Sequence, residues 1–264
     1  VTSTSELDSQ IAARREILDW FAGPLGCSLR AAETDCLRSL LPALYANRVL
    51  QIGALGHSDL FESCAAPSRT LLELPQVGRD CSLYALPEAL PIQGDTQDLV
   101  VLPHTLDFAG DPHQVLREVE RVLVPEGRVV IAGFNPLSLW GLWRFFRKGR
   151  RRQRAPWNAQ FISLHRIKDW LKLLDFEVSH GDMLYYRPPL AGQNARDRLY
   201  ILDKVGNRWW PMMAAVYILV AKKRVAGITP VDRRWRLKGL VPTGAAQAAT
   251  RDAMRPAARQ AGND

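Results

Sequence analysis

The chain has no long hydrophobic run. Its most apolar stretch, from Trp209 to Ala221, is interrupted by Pro211 and falls short of the ~20 residues that a membrane-spanning helix needs. No basic-then-apolar segment opens the sequence, so no secretory signal is read and a cytoplasmic location is expected. Cysteine is scarce as well. Cys27, Cys36, Cys64 and Cys81 form no CxxC pair, which removes the spacing of a structural zinc site or a dithiol centre. Reduced, mostly buried thiols and no metal are the expectation.

What remains is an ordinary globular balance. Of 264 residues, 47% are hydrophobic and 23% charged, enough to bury a large core. One domain with added elements is expected rather than two. Acids are missing where bases gather: the seven cations from Arg144 to Arg154 have no acid among them. The ten Lys and Arg from Lys222 onward meet only Asp232, Asp252 and Asp264. Each of these segments supplies +7 of a formal net charge of +8, so the rest of the chain is net acidic at −6. The basicity sits on an insertion and a tail, where an anionic surface or a nucleic acid would meet it.

Helical spacing comes first along the chain. Leu7, Ile11, Leu18 and Phe21 share one face, and a second pattern runs from about Leu29 to Tyr45 after breaks at Gly23-Pro24 and Gly26. Strand-like runs follow at Arg48-Val-Leu-Gln-Ile-Gly, at Arg69-Thr-Leu-Leu-Glu-Leu and, more weakly, at Cys81-Ser-Leu-Tyr-Ala. Leu99 to Leu102 reads as a strand covered on both faces. Asp111 is placed to cap a helix with Pro112 in its first turn, and Val115, Leu116, Val119, Val122 and Leu123 recur on one side. Pro125 and Gly127 predict a turn before a strand from Val129, so strand, crossover helix and strand make a parallel unit. Ser163 is placed to cap a helix faced by Leu164, Ile167, Trp170, Leu171 and Leu174, and Phe176-Glu-Val begins a sixth strand. A helix near Arg196 to Val205 and a strand Val216-Tyr-Ile-Leu-Val-Ala-Lys-Lys complete the expected sheet. From about Val225 the pattern fades into Ala, Arg, Gly, Gln and Asp, as in a disordered basic tail.

Between Leu86 and Pro136 these signals join with almost no spare residues. The phrases are Leu86-Pro-Glu-Ala-Leu-Pro-Ile, Asp98-Leu-Val-Val-Leu-Pro-His, Asp111-Pro-His, Arg117-Glu-Val-Glu-Arg-Val-Leu-Val-Pro-Glu-Gly and Arg128-Val-Val-Ile-Ala-Gly-Phe-Asn-Pro. That order resembles the middle of class I S-adenosylmethionine-dependent methyltransferases, in the type 11 branch. The resemblance extends from about Val49 to Val178 and implies an α/β, Rossmann-like sheet. On this reading residues 1–47 are an N-terminal helical extension, 48–224 the methyltransferase domain and 225–264 the tail. A helical and basic insertion follows strand five, and the last strand is antiparallel. The resemblance also implies S-adenosyl-L-methionine as cofactor and methyl transfer to an acceptor, expected to be a small molecule. Such enzymes share few chemical groups, because most of the acceleration comes from positioning and desolvation.

The cofactor is then expected at the carboxyl ends of the strands. The family has an acid and three alternating glycines after strand one. Here Gln51-Ile-Gly53-Ala-Leu55-Gly56-His57 keeps Gly53, moves Gly56 by one position and puts Gln51 where the acid would be. Glu73, ending strand two, matches the acid that receives the ribose hydroxyls. Leu86 replaces the acid that faces the adenine amino group, while Pro87 and Leu90 keep an apolar slot. Pro103 and His104 follow strand four, where cofactor and acceptor meet, and His104 is the candidate base. Trp140, Trp143, Phe145 and Phe146 beside the arginines read as an acceptor lid, as a contact with an anionic membrane surface, or as a helix packed on the core. Two other functions stay open. The altered glycine motif suits a non-catalytic binding or regulatory module, and the basic segments suit a methyltransferase that binds RNA.

Overall fold

The computed structural model describes residues 4–54, 66–77, 81–147, 155–189 and 210–224. Its sheet contains β1 (Arg48–Ile52), β2 (Ser68–Glu73), β3 (Leu83–Tyr84), β4 (Gln97–Pro103), β5 (Leu123–Phe134), β6 (Phe176–Leu184) and β7 (Val216–Lys223). The strand order is β3-β2-β1-β4-β5-β7-β6, parallel throughout except that β7 runs antiparallel to both its neighbours. From β1 the chain steps outward to β2 and β3, then returns to the other side of β1 as β4. The loops leaving β1 and β4 therefore diverge, and an open α/β sheet has its ligand crevice at such a point.

The central strands are apolar on both faces because helices cover both. On one side α4 (Pro112–Val122) and α6 (Leu164–Leu173) press Val115, Leu116, Val119, Ile167 and Leu171 onto Leu50, Ile52, Val100, Val129 and Ile131. On the other, Leu37 of α2 (Pro24–Leu40) and Leu41 of the following 3-10 turn meet Val49, Val101, Val130, Ile218 and Val220. A third cluster joins Ile17 and Phe21 of α1 (Thr4–Ala22) and Leu29 of α2 to Phe134 and to Trp140 of α5 (Leu139–Arg147). α1 and α2 thus reach the carboxyl end of the sheet, where the single turn α3 (Thr105–Phe108) follows β4.

The expected caps form. Asp111 Oδ1 accepts the N–H groups of His113 and Gln114 at 2.9 and 3.1 Å, and Ser163 Oγ accepts that of Arg166 at 3.3 Å. Three local expectations differ. Gly26 does not break the second helix but lies inside α2, where a Cβ would run into the backbone of Trp20. Pro125 and Gly127 do not end the pairing with β4: Gln97 pairs with Leu123 and Leu99 with Arg128, so the residues between bulge, with Glu126 at φ 65°. Cys27, Cys36 and Cys81 are free and partly exposed rather than buried. Gly56, Cys64, the helix expected near 196–205 and the tail from 225 lie outside the described residues. Among the described residues no helix is long and apolar enough to cross a membrane.

One buried cation fastens the antiparallel strand. Lys223, only 8% exposed, donates from Nζ to the carbonyls of Glu120 and Leu123 at 2.7 and 3.0 Å. It also pairs with Glu120 Oε1 at 2.9 Å and Asp95 Oδ1 at 3.3 Å. The charge thereby sits on the C-terminal end of α4, where the carbonyls carry the helix's partial negative charge. Lys223→Met is expected to lower the unfolding free energy by about 2 kcal/mol, read from the urea midpoint at unchanged m-value. An unmoved midpoint would mean that water satisfies those carbonyls equally well.

Candidate functional site

α1 lays its buried face toward the crevice with Ile11, Arg14, Ile17 and Phe21, so an arginine occupies a place in an apolar stripe. Arg14 is 3% exposed and meets Glu73, 2% exposed, at the carboxyl end of β2. Arg14 Nε donates to Glu73 Oε1 at 3.0 Å and Nη2 to Oε2 at 3.2 Å, a bidentate pair. The N–H of Ala54 reaches Oε2 at 2.7 Å and that of Leu74 reaches Oε1 at 3.0 Å. Each carboxylate oxygen therefore already accepts from two donors. Burial pushes the Glu73 carboxyl upward, but the charge and hydrogen bonds of Arg14, with those two N–H groups, hold it below its ordinary value.

The guanidinium rests on Gly53. That residue follows β1 at φ 97°, and a Cβ there would collide with Arg14 Nη2. Beside it, the Thr105 hydroxyl donates to the carbonyl of Ile52. Gln51 is fully buried and turns Nε2 to the Gly53 carbonyl at 2.9 Å. Gln51 Oε1 and Arg14 Nη1 are buried with no hydrogen-bond partner among the described residues. The cavity between Arg14, Gly53, Glu73, Pro87, Thr105 and Phe108 measures about 20 Å³. That holds roughly one water. Leu86 is half-buried next to it, in a bridge with Ala89, and Pro103 is buried at the end of β4. A wider groove of about 620 Å³ shares Gln10, Phe108 and Ala109 with the small cavity and is otherwise lined by Ala13, Gly110 and polar residues such as Glu88, Gln114, Asn158 and Gln160.

The loop after β4 carries the second buried charge system. His104 is completely buried, in left-handed backbone at φ 55°. Its Nδ1 lies 2.8 Å from Asp107 Oδ2 and its Nε2 lies 2.8 Å from Glu33 Oε1, where Glu33 belongs to the buried face of α2. Asp107 Oδ2 also accepts the N–H of Phe134 at 3.0 Å, tying α3 to the end of β5. The Phe134 ring lies 4.2 Å from the imidazole. Burial alone would lower the pKa of His104, but the Glu33 charge and the hydrogen bonds of Asp107 and Glu33 push it up to about 9. Both nitrogens are turned to internal carboxylates, an arrangement that favours the imidazolium, while burial pushes the Asp107 carboxyl up. The geometry leaves neither nitrogen to face an acceptor in this arrangement.

A family described as methyltransferase domain matches residues 58–131. The Escherichia coli K12 protein YafS, uncharacterized, is 32% identical over 210 residues, covering 80% of this chain and 82% of its own length. An S-adenosylmethionine-dependent methyltransferase of Thermotoga maritima superposes at a TM-score of 0.57 and 17% identity, covering 78% of this chain and 94% of that one. A Haloferax volcanii methyltransferase solved with its Trm112 activator superposes at 0.54 and 14% identity, covering 80% and 97%. At such identities these two structures speak for the fold. The chain belongs to the class I S-adenosylmethionine-dependent methyltransferases.

In this member of the family the crevice, as arranged, does not fit the cofactor. The oxygens of Glu73 are engaged, Gly53 is covered and a space of about 20 Å³ does not admit a nucleoside. The residue responsible, Arg14, escapes a reading of the sequence by motif, as do Glu33 and Asp107. Their signal is nonetheless present: Arg14 stands between Ile11 and Leu18, and Glu33 between Leu29 and Leu37, each a lone charge on the apolar stripe of its helix. Asp107 stands one helical turn beyond His104.

The imidazolium ties stability to pH. A histidine whose folded value is raised from 6.5 to about 9 contributes its full stabilisation below pH 6.5 and loses it as pH rises through about 9. Across that window the wild-type protein is expected to lose about 3 kcal/mol more than a His104→Gln variant, measured by urea unfolding at each end. Equal losses in the two proteins would show that His104 is neutral when folded.

Proposed function

We propose that this methyltransferase uses S-adenosylmethionine to methylate a small polar acceptor in the cytoplasm, and that the Arg14–Glu73 pair latches its cofactor cleft. The supporting observation is the place of Glu73: a buried carboxylate ends β2 beside the switch point and is joined by hydrogen bond to Ala54 on the turn after β1. That is where family membership leads one to expect the ribose. Arg14 competes for the same oxygens. When α1 moves its guanidinium away, Glu73 gains two free acceptor positions and Gly53 a bare backbone face. Gln51 then flanks the amino-acid end of the cofactor, and Leu86, Pro87 and Pro103 its base and the acceptor side. His104 acts as a positioning residue that holds α2 and α3 in place, not as a base. The carboxylate and amide groups of Glu88, Gln114 and Gln160 in the groove beside Gln10 support a polar acceptor.

A second reading draws on the same residues. The occupied Glu73, with Gln51 and Leu86 in place of acids, suits a non-catalytic module of methyltransferase fold. Calorimetric titration with S-adenosylhomocysteine separates the two. The wild-type protein is expected to bind weakly and Arg14→Gln at least about tenfold more tightly, because the latched population no longer lowers the apparent affinity. Glu73→Gln is expected to weaken binding. Absence of binding to both the wild type and a folded Arg14→Gln protein would favour the non-catalytic module. Weaker binding to Arg14→Gln would make Arg14 a ligand contact instead of a latch.

A further inference from the structure

We propose that α5 is a docking surface for anionic lipid bilayers, which holds the protein on a membrane without crossing it. α5 begins five residues beyond β5, at the same end of the sheet as the crevice. Leu139, Leu142, Trp143 and Phe146 repeat at the spacing of one helix face and are 37%, 52%, 40% and 74% exposed. Leu137, Phe145 and Met213, at 63%, 67% and 41%, widen the patch. Soluble surfaces seldom gather apolar side chains in this way without a partner.

The outward orientation is fixed from the other side of the helix. Trp140 is fully buried, donates from Nε1 to the Arg187 carbonyl at 2.9 Å and meets the Trp20 and Tyr185 rings edge-on at 5.9 and 5.7 Å. At Gly141 a Cβ would strike the Pro136 carbonyl, so the helix sits tightly on its own entry turn. Asn135 holds that turn, donating to the carbonyls of Met212 and Ala214 at 2.8 and 2.9 Å and accepting from the Leu137 N–H at 3.0 Å. Burying the exposed face inward would break these contacts.

Charge selects the occupant. Between Glu126 and Asp169 the sequence holds no acid and ten Lys or Arg, six of them from Arg147 to Arg154, directly at the end of α5. A second copy of this chain would bring two such runs together, and like charge opposes that contact. The exposed side chains are hydrocarbon apart from one indole and the Met213 thioether, so they offer almost nothing to the polar edges of nucleotide bases. Apolar side chains that enter the acyl boundary, next to cations that meet lipid phosphates, are the chemistry of an interfacial helix.

Co-sedimentation of the full chain with vesicles tests this. The comparison is phosphatidylcholine alone against phosphatidylcholine with about one third phosphatidylglycerol. Wild-type protein is expected to pellet with the anionic vesicles and not with the neutral ones, less so as salt rises. A Phe145→Ser, Phe146→Ser double variant is expected to lose at least about tenfold in partitioning with its melting temperature unchanged, since both rings are exposed. Arg150→Glu with Arg151→Glu and Arg152→Glu is expected to abolish the preference for anionic lipid. No pelleting by the wild type, or pelleting untouched by the phenylalanine variant, overturns the proposal. So does a self-associated species that the phenylalanine variant disperses, which gives the face to a second copy. Binding of a single-stranded RNA that displaces the vesicles and is lost in the same variant gives the face to nucleic acid, and also overturns it. No step of the assay involves S-adenosylmethionine, so its failure leaves the methyltransferase reading where it stood.

Discussion

The carboxyl end of this sheet depends on two charges that α1 and α2 carry into the protein interior. A guanidinium or carboxylate moved from water into a protein interior loses several kcal/mol of hydration, and only a well-formed partner restores it. Arg14 finds Glu73, and Glu33 finds His104, each at 3.0 Å or less. Apolar contacts such as Ile17 and Phe21 on Phe134 hold the helices down, but hydrocarbon surfaces tolerate sliding. A bidentate guanidinium and a carboxylate aimed at one ring nitrogen tolerate far less, so the ion pairs set the register of both helices over the crevice. The same pairs therefore decide how much of the crevice is open.

The sequence was most legible where one physical signal decides the outcome. Alternation and Val-rich runs located β4, β5 and β7; Asp111 and Ser163 located the starts of α4 and α6, because a side-chain cap has few substitutes. It was less legible where tertiary contact overrides local preference. Gly26 looks like a breaker in isolation and is instead the residue that lets α2 approach Trp20. Pro125 and Gly127 look like a turn, yet the sheet accommodates them as a bulge within β5. The site divides in the same way. Glu73 stands where strand-end logic puts an acid, but nothing local says that its partner is an arginine 59 residues earlier. His104 reads as a free imidazole until Glu33, 71 residues away, is brought to it by the fold. Long-range pairing of buried charges has no sequence period, and only the breach of an apolar stripe betrays it.

Gly53 gives the Arg14–Glu73 pair its geometry. Gly53 leaves β1 in left-handed backbone and is the residue against which Arg14 lies. A bare backbone permits close approach by any planar group, whether a cofactor's ribose or a guanidinium. On the proposed reading, ribose and guanidinium share one pair of oxygens and one glycine, and exclude each other. Competition of this kind needs no displacement of the strands, only withdrawal of one side chain or a shift of α1.

The size of the effect follows from the environment of the pair. Breaking a buried ion pair costs on the order of 3 kcal/mol when both groups remain buried, and less when one swings into water and the other gains a new donor. A closed state favoured by about 3 kcal/mol lowers apparent affinity by roughly 150-fold, so an intrinsic micromolar site would respond only above about 100 μM ligand. Anything that draws α1 away from the crevice would then restore affinity without touching a single cofactor contact. On the proposed reading, an ion pair of this size is strong enough to hold the cleft closed and weak enough for ligand binding to overcome.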